Sequence, residues 1–131
     1  MATIFTRIIK GEIPCYKIYE DENYFAFLDI NPLQKGHTLV IPKKEDDYIF
    51  NLDDATYAGL MMTAKKIAAA IKESTNCKRV GVTVLGMEVP HVHIHLVPMN
   101  SEKDMLFSNP KKELSKEEFE AIAADIAKRV K

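Results

Sequence analysis

Apolar and polar residues alternate most regularly in Pro90-His91-Val92-His93-Ile94-His95-Leu96-Val97-Pro98. Side chains of a strand point to opposite faces with period two, so His91, His93 and His95 share one face while Val92, Ile94 and Leu96 take the other. A helix would scatter the imidazoles, because positions i and i+2 lie on nearly opposite sides. The two prolines bracket the stretch without sitting in its middle. The segment therefore predicts a half-buried strand that presents three imidazoles in a row.

The same reading extends along the chain. Residues 3–11 predict a short helix, with Thr3 as cap, Ile4, Phe5, Ile8 and Ile9 as its apolar side, and Gly11 at its end. Pro14 forces an extended entry to a strand at 16–20, Asp21-Glu22-Asn23 turns, and 24–29 completes a hairpin. Asn31-Pro32 breaks it, and 37–42 is a third strand carrying the fourth histidine, His37. After a charged loop at 43–47, Asp53 caps a long helix to about residue 74, with Tyr57, Leu60, Met61, Ala64, Ile67, Ala68 and Ile71 at helical spacing. Residues 78–87 predict a fourth strand and the histidine stretch a fifth. Residues 99–114 are polar and irregular, and Ser115 with Glu118 opens a final helix whose stripe is Phe119, Ile122, Ala123, Ile126 and Val130. Strands and helices do not alternate strictly, which favours an α+β fold with an antiparallel sheet.

Composition narrows the function classes. The 131 residues form one domain, with a core at about 4–98 and a C-terminal extension and helix at about 99–131. A net charge of -1 argues against a nonspecific nucleic-acid binder. Cys15 and Cys77 make no C-x-x-C pair and are too few for a disulfide framework, so a reducing, cytoplasmic setting is expected. No segment has the apolar length of a membrane span. Two chemistries explain three aligned imidazoles: nucleophile and proton-transfer work near neutral pH, or a zinc site fed by His-x-His. Spacing alone does not separate them.

The motifs resemble those of the histidine triad (HIT) superfamily of nucleotide-binding proteins. His91-Val92-His93-Ile94-His95-Leu96-Val97 matches its signature. Ile4-Phe5 with Ile8-Ile9, Gly11-Glu12-Ile13-Pro14, Ala26-Phe27-Leu28-Asp29-Ile30 and the segment from Gly36-His37 to Pro42-Lys43 match in order. The branch it most resembles is the phosphoramidase-type, protein-kinase-C-interacting group. The resemblance implies a five-stranded antiparallel sheet with one long central helix, paired in a homodimer as a continuous ten-stranded sheet. It implies a nucleotidyl hydrolase that splits a nucleoside monophosphate, of AMP or another purine, from an amine, acyl or similar leaving group. His93 would be the nucleophile, His95 the donor beside the phosphate, and His91 and His37 the residues that orient the rings. Asp29 would bind the ribose, Ile4, Phe5, Phe27, Ile30 and Leu39 would hold the base, and Gly86 would let backbone approach the phosphate.

Some positions depart from the family pattern. Met87 and Glu88 stand where the family carries Gln and then Ser or Thr near the phosphate, and Glu88 adds a negative charge there. The usual loop Asn has no match in the shorter, more apolar 80–85. Members that hold structural zinc use N-terminal cysteines and a later histidine, where this chain has Thr3, Thr6 and Glu45. No metal and no cofactor are therefore expected. The expected partners are a purine nucleotide and a second copy, with neither nucleic acid nor membrane. A runner-up of the same kind is a dinucleoside polyphosphate hydrolase; alternatives of other kinds are a non-catalytic nucleotide-binding or interaction module and a metal hydrolase using His37 with the triad.

Overall fold

A computed structural model describes residues 2–131. Helix α1 (Ile4–Ile9) starts where Thr3 is extended and its hydroxyl accepts the Thr6 N–H at 3.1 Å, satisfying one orphan donor of the first turn. Strands β1 (Lys17–Glu20) and β2 (Tyr24–Leu28) form the expected hairpin, whose turn is held by Asp21 accepting the N–H groups of Asn23 and Tyr24. Strand β3 (Thr38–Pro42) follows, then helix α2 (Asp54–Thr75), capped by Asp53 and closed by Asn76 in the left-handed region. Strands β4 (Arg79–Thr83) and β5 (Ile94–Met99) and helix α3 (Lys116–Arg129) complete the chain, the last opened by the Ser115–Glu118 capping box. The five strands make one antiparallel sheet in the order β1-β2-β3-β5-β4. Among the described residues no helix is long and apolar enough to cross a membrane.

The fourth and fifth strands differ from expectation at their ends. The fourth strand stops at Thr83, and residues 84–93 leave the ladder. The fifth starts at Ile94, four residues after Pro90, because His91 and Val92 bond main-chain partners outside the sheet: His91 N–H donates to Val89 O and Val92 N–H to Asp46 O. Pro98 lies inside β5, opposite Val80, rather than beyond its end. Pairing of β5 with β3 runs only as far as Leu96 with Thr38, so the missing N–H of Pro98 leaves no β3 partner unpaired.

Alternation sorts the strands onto two covered faces. On one, Tyr24, Ala26, Leu28, Val40, Val92, Ile94 and Leu96 pack under α2 and α3 with Leu60, Ile67, Ile71 and Ile126. On the other, Phe25, Phe27, Leu39 and Ile41 pack under α1 through Phe5 and Ile8. His95 pairs with Leu39 on one side and Thr83 on the other, which places it in the row of Phe27 and Leu39. The register thus delivers the histidine face to the α1 side, next to an apolar floor.

Candidate active site

All four histidines are buried, and their side chains form two hydrogen-bonded units. In the first, the Leu33 N–H donates to His37 Nδ1 at 3.0 Å, and His37 Nε2 lies 3.0 Å from His95 Nδ1. A ring nitrogen that accepts a main-chain N–H carries no proton. The His37 proton therefore sits on Nε2 and is donated to His95, whose own proton is left on Nε2. In the second, His93 Nδ1–H donates to the carbonyl of His91 at 2.7 Å, which leaves His93 Nε2 with a free lone pair. His91 in turn donates from Nε2 to Pro42 O at 2.8 Å, and its Nδ1 lies 2.7 Å from the Thr3 hydroxyl.

The outcome is a pair of unlike nitrogens. The rings of His93 and His95 are 4.9 Å apart, and both line a cavity of about 460 Å³. One presents a lone pair, the other an N–H. His91 and His37 do not reach the cavity; each lies behind the ring or main chain it bonds. Asp29, just after β2, lines the cavity with its carboxylate 3.6 Å from His37 Nε2 while accepting the Asn31 N–H at 2.8 Å. Ile4, Phe5, Phe27, Ile30 and Leu39 line the same cavity, as do Gly86, Met87 and Glu88 from the loop before the histidines. Gly86 has φ +72°, a conformation that costs glycine nothing, and a Cβ there would sit 3.4 Å from Asp47 O. Met87 is 91% exposed at the rim.

Phe107 is a lining residue that sequence reasoning missed. Its ring stands edge-on to His95 at 5.0 Å and to His37 at 6.2 Å. The available signal was an apolar run, Met105-Leu106-Phe107, inside a mostly polar stretch.

Burial sets the protonation states. It pushes His37 down to about 3, with help from the charges of His95 and Lys111, and His95 down to about 4, with help from His93. Burial also lowers His91 and raises the Asp29 carboxyl, which the nearby Glu88 raises further. Unfolded histidine titrates near 6.5, so on acidification the unfolded chain takes up protons before the folded one does. The stability from His37 and His95 is complete above that value and is lost as pH falls towards about 4 and then 3. At pH 5 the loss is about 2 kcal/mol for each ring. Asp29 acts in the opposite sense, its contribution fading as pH rises through its folded value. With two rings against one carboxyl, the thermal midpoint is expected to drop by about 5 °C or more between pH 7.5 and pH 5. Equal midpoints in scanning calorimetry would mean that the fold accepts charged imidazoles.

An α+β sheet carrying a triad of alternating histidines over an apolar cavity is the architecture of one protein class, and comparison with known proteins gives its name. The HIT domain model matches residues 10–102, and the chain belongs to that family. It is 37% identical to adenosine 5′-monophosphoramidase hnt1 of Schizosaccharomyces pombe over the full length of both chains. The crystal structure of a Hit-like protein involved in cell-cycle regulation from Bartonella henselae superposes with a TM-score of 0.82 at 30% identity, covering 97% of this chain and 95% of that one. A Zn-bound histidine triad family protein from Mycobacterium smegmatis superposes with a TM-score of 0.81 at 30% identity, covering 98% and 95%.

The residues at the N-terminal positions where the family resemblance would put a structural zinc do not fit that ion. Thr3 and Thr6 offer hydroxyls where a structural zinc site wants thiolate or imidazole. Those hydroxyls are already engaged: Thr3 with His91, and Thr6 with Glu45, whose carboxylate also accepts the Thr3 N–H at 2.9 Å. These bonds tie α1 to the first histidine.

Proposed function

We propose that this protein is a nucleotidyl hydrolase that releases a nucleoside monophosphate, with adenosine or another purine as base, from an amine or acyl leaving group. The observation that carries the reading is the pair of unlike rings, His93 with its lone pair on Nε2 and His95 with its proton on Nε2, 4.9 Å apart and both lining one cavity. The similarity to a relative named as an adenosine 5′-monophosphoramidase supports the same substrate class.

In this mechanism His93 Nε2 attacks the α-phosphorus, the bond to the leaving group breaks, and a nucleotidyl-histidine forms. His95 Nε2–H donates to the departing atom; as that proton passes to it, the negative charge left on the His95 ring is held by the His37 Nε2–H bonded to Nδ1. Water then attacks phosphorus and returns a proton to His95, releasing the monophosphate and free His93. The His91 carbonyl holds the proton on His93 Nδ1, and His37 holds the donor form of His95. The apolar lining from Ile4 to Leu39 takes the base. Gly86 lets main chain approach the phosphate, while Met87 and Glu88 occupy its rim.

Asp29 is assigned to the ribose hydroxyls, a task suited to an acceptor with two oxygens. Asp29→Ala should weaken a ribonucleotide by about 1.5–3 kcal/mol, the range for hydrogen bonds to a charged group, and its 2′,3′-dideoxy analogue little. Equal losses for both ligands in calorimetry would remove Asp29 from the ribose site.

A metal reading has one observation in its favour, since Asp29, His37 and His95 each place a ligand atom within 4.8 Å of the others. The short His37–His95 bond and the Leu33 N–H already engage three of the four ring nitrogens in that cluster. Turnover should therefore be measured on adenosine phosphoramidates, acyl-adenylates and dinucleoside polyphosphates, with and without chelator. Phosphoramidate cleavage unaffected by chelator is expected. Inhibition by chelator would point to the metal route, and nucleotide binding without turnover of any substrate to a binding module.

The second copy belongs to the same proposal. Leu60, in the apolar stripe of α2, is wholly buried in its own protomer and is not available to a second copy. Met62 on α2 is 62% exposed, Val82 on β4 52% and Leu85 just beyond it 53%, and β4 is an edge strand. Pairing β4 with its symmetry mate would cover both the edge and these side chains. Sedimentation at micromolar concentration should show a dimer; a monomer would reject the pairing.

A further inference from the structure

The segment between β5 and α3 is tied down along its length. Asp104 caps the 3-10 turn Glu102–Met105 through the N–H groups of Asn100 and Ser101, and the Asn109 amide donates to Lys103 O. The Lys112 N–H donates to Pro32 O at 2.8 Å, fastening the segment to the loop after Asp29. The Lys111 ammonium bonds the carbonyls of Phe107 and Asn109 and lies 5.8 Å from the Phe107 ring centre. So many local bonds in a stretch with one 3-10 turn and otherwise no regular structure have one visible result: a single aromatic side chain is held against the His37–His95 pair.

We propose that Phe107 is a positioning residue for His95, closing that side of the site to water so that the ring stays a neutral Nε2–H donor locked to His37. The proposal rests on the reading of His95 as the donor to the leaving group, and it assigns a part in that chemistry to the C-terminal extension. The geometry supports it from both ends. The ring of Phe107 meets His95 edge-on at 5.0 Å, the closest of its two imidazole contacts, and it also lines the substrate cavity. Water entering in its place would offer His95 Nδ1 and His37 Nε2 other partners and loosen the tautomer that their mutual bond selects.

The charged and titratable groups around His95 come from several elements. His93 lies beside it on the same segment, His37 precedes β3 and bonds it directly, and Asp29 follows β2 and reaches it through His37. Glu88, from the loop before the triad, lines the same cavity, and Lys111, from the extension, acts on His37 and Asp29. Phe107 contributes no charge, so its removal changes solvation and leaves this set in place. Burial is the largest cause of the low His95 value, so the ring should titrate closer to 6.5 once water enters.

The test compares Phe107→Ala and Phe107→Leu with the unmutated protein in two measurements. The first is steady-state turnover of two adenylates that differ only in the leaving group, an alkylamine that needs a proton and a sulfate that leaves as a stable anion. Phe107→Ala should lower kcat for the amine by about 10-fold or more and for the sulfate by about 2-fold or less, because only the amine draws on the donor. KM should change little, and Phe107→Leu, which restores apolar bulk, should recover most of the loss. The second is a nitrogen-15 NMR titration of the His95 ring, which needs no turnover. It should show the Nε2–H tautomer in the unmutated protein and a titration moved upward in Phe107→Ala. Equal losses for both leaving groups, or a His95 titration and tautomer that ignore the substitution, would overturn the role. If the unmutated protein cleaves neither adenylate, the hydrolase reading fails, while the NMR titration still decides whether Phe107 controls the ring.

Discussion

Replacing His93 by alanine is expected to abolish turnover, by about 10,000-fold or more, while nucleotide binding stays within a few-fold of the unmutated protein. The reason is local. His93 lines the cavity, and its Nε2 is the lone pair that the hydrogen bonds leave free, since His93 Nδ1 donates to the His91 carbonyl and His95 keeps its proton on Nε2. The groups assigned to the nucleoside, Asp29 and the apolar lining on α1, β2 and β3, do not depend on the imidazole for their positions. Affinity and chemistry should therefore separate. The deciding measurement is mass spectrometry of protein rapidly quenched with substrate without acid, which should find a nucleotidyl adduct on His93. Full activity in the His93→Ala protein would end the covalent route.

His95→Ala should have a loss whose size depends on the substrate. A positioned proton donor is worth about 100- to 10,000-fold where the leaving group needs a proton. An amine cannot depart as an anion near neutral pH, so phosphoramidates should suffer most. A carboxylate or sulfate departs as a stable anion and should suffer least. Plotting the loss against leaving-group basicity should give a slope of one sign, and a flat plot would show that His95 serves the phosphate alone. The hydrogen bond from His37 makes a further distinction. His37→Ala keeps the donor nitrogen but frees its tautomer, so its losses should rank the same way and be smaller.

Much of the architecture was legible along the chain because it depends on short-range rules. Period-two alternation put His91, His93 and His95 opposite Val92, Ile94 and Leu96, and the folded chain keeps that division even though the ladder itself begins only at Ile94. Thr3, Asp53 and Ser115 cap their helices as their residue types require. The ends of strands were less legible. Whether Leu85 or His91 pairs depends on what lies across from it, and the loop at Asp46 took the Val92 N–H that a ladder would have used. Leu60 and Met62 belong to the same helix, yet only packing decides that the first is core and the second faces outward.

The residue types by themselves determined that imidazole chemistry, an apolar floor and one carboxylate are available to this protein, because identity and local period are properties of the chain. Which nitrogen holds each proton was decided only by the tertiary structure. The Leu33 N–H sets the tautomer of His37, and His37 sets that of His95 from 58 residues away. Thr3 reaches His91 across 88 residues, and Phe107 arrives from a segment with no periodic signal at all. A proton's position follows from the partner each nitrogen meets, and those partners become neighbours only when the sheet, α1 and the C-terminal segment close around the same cavity.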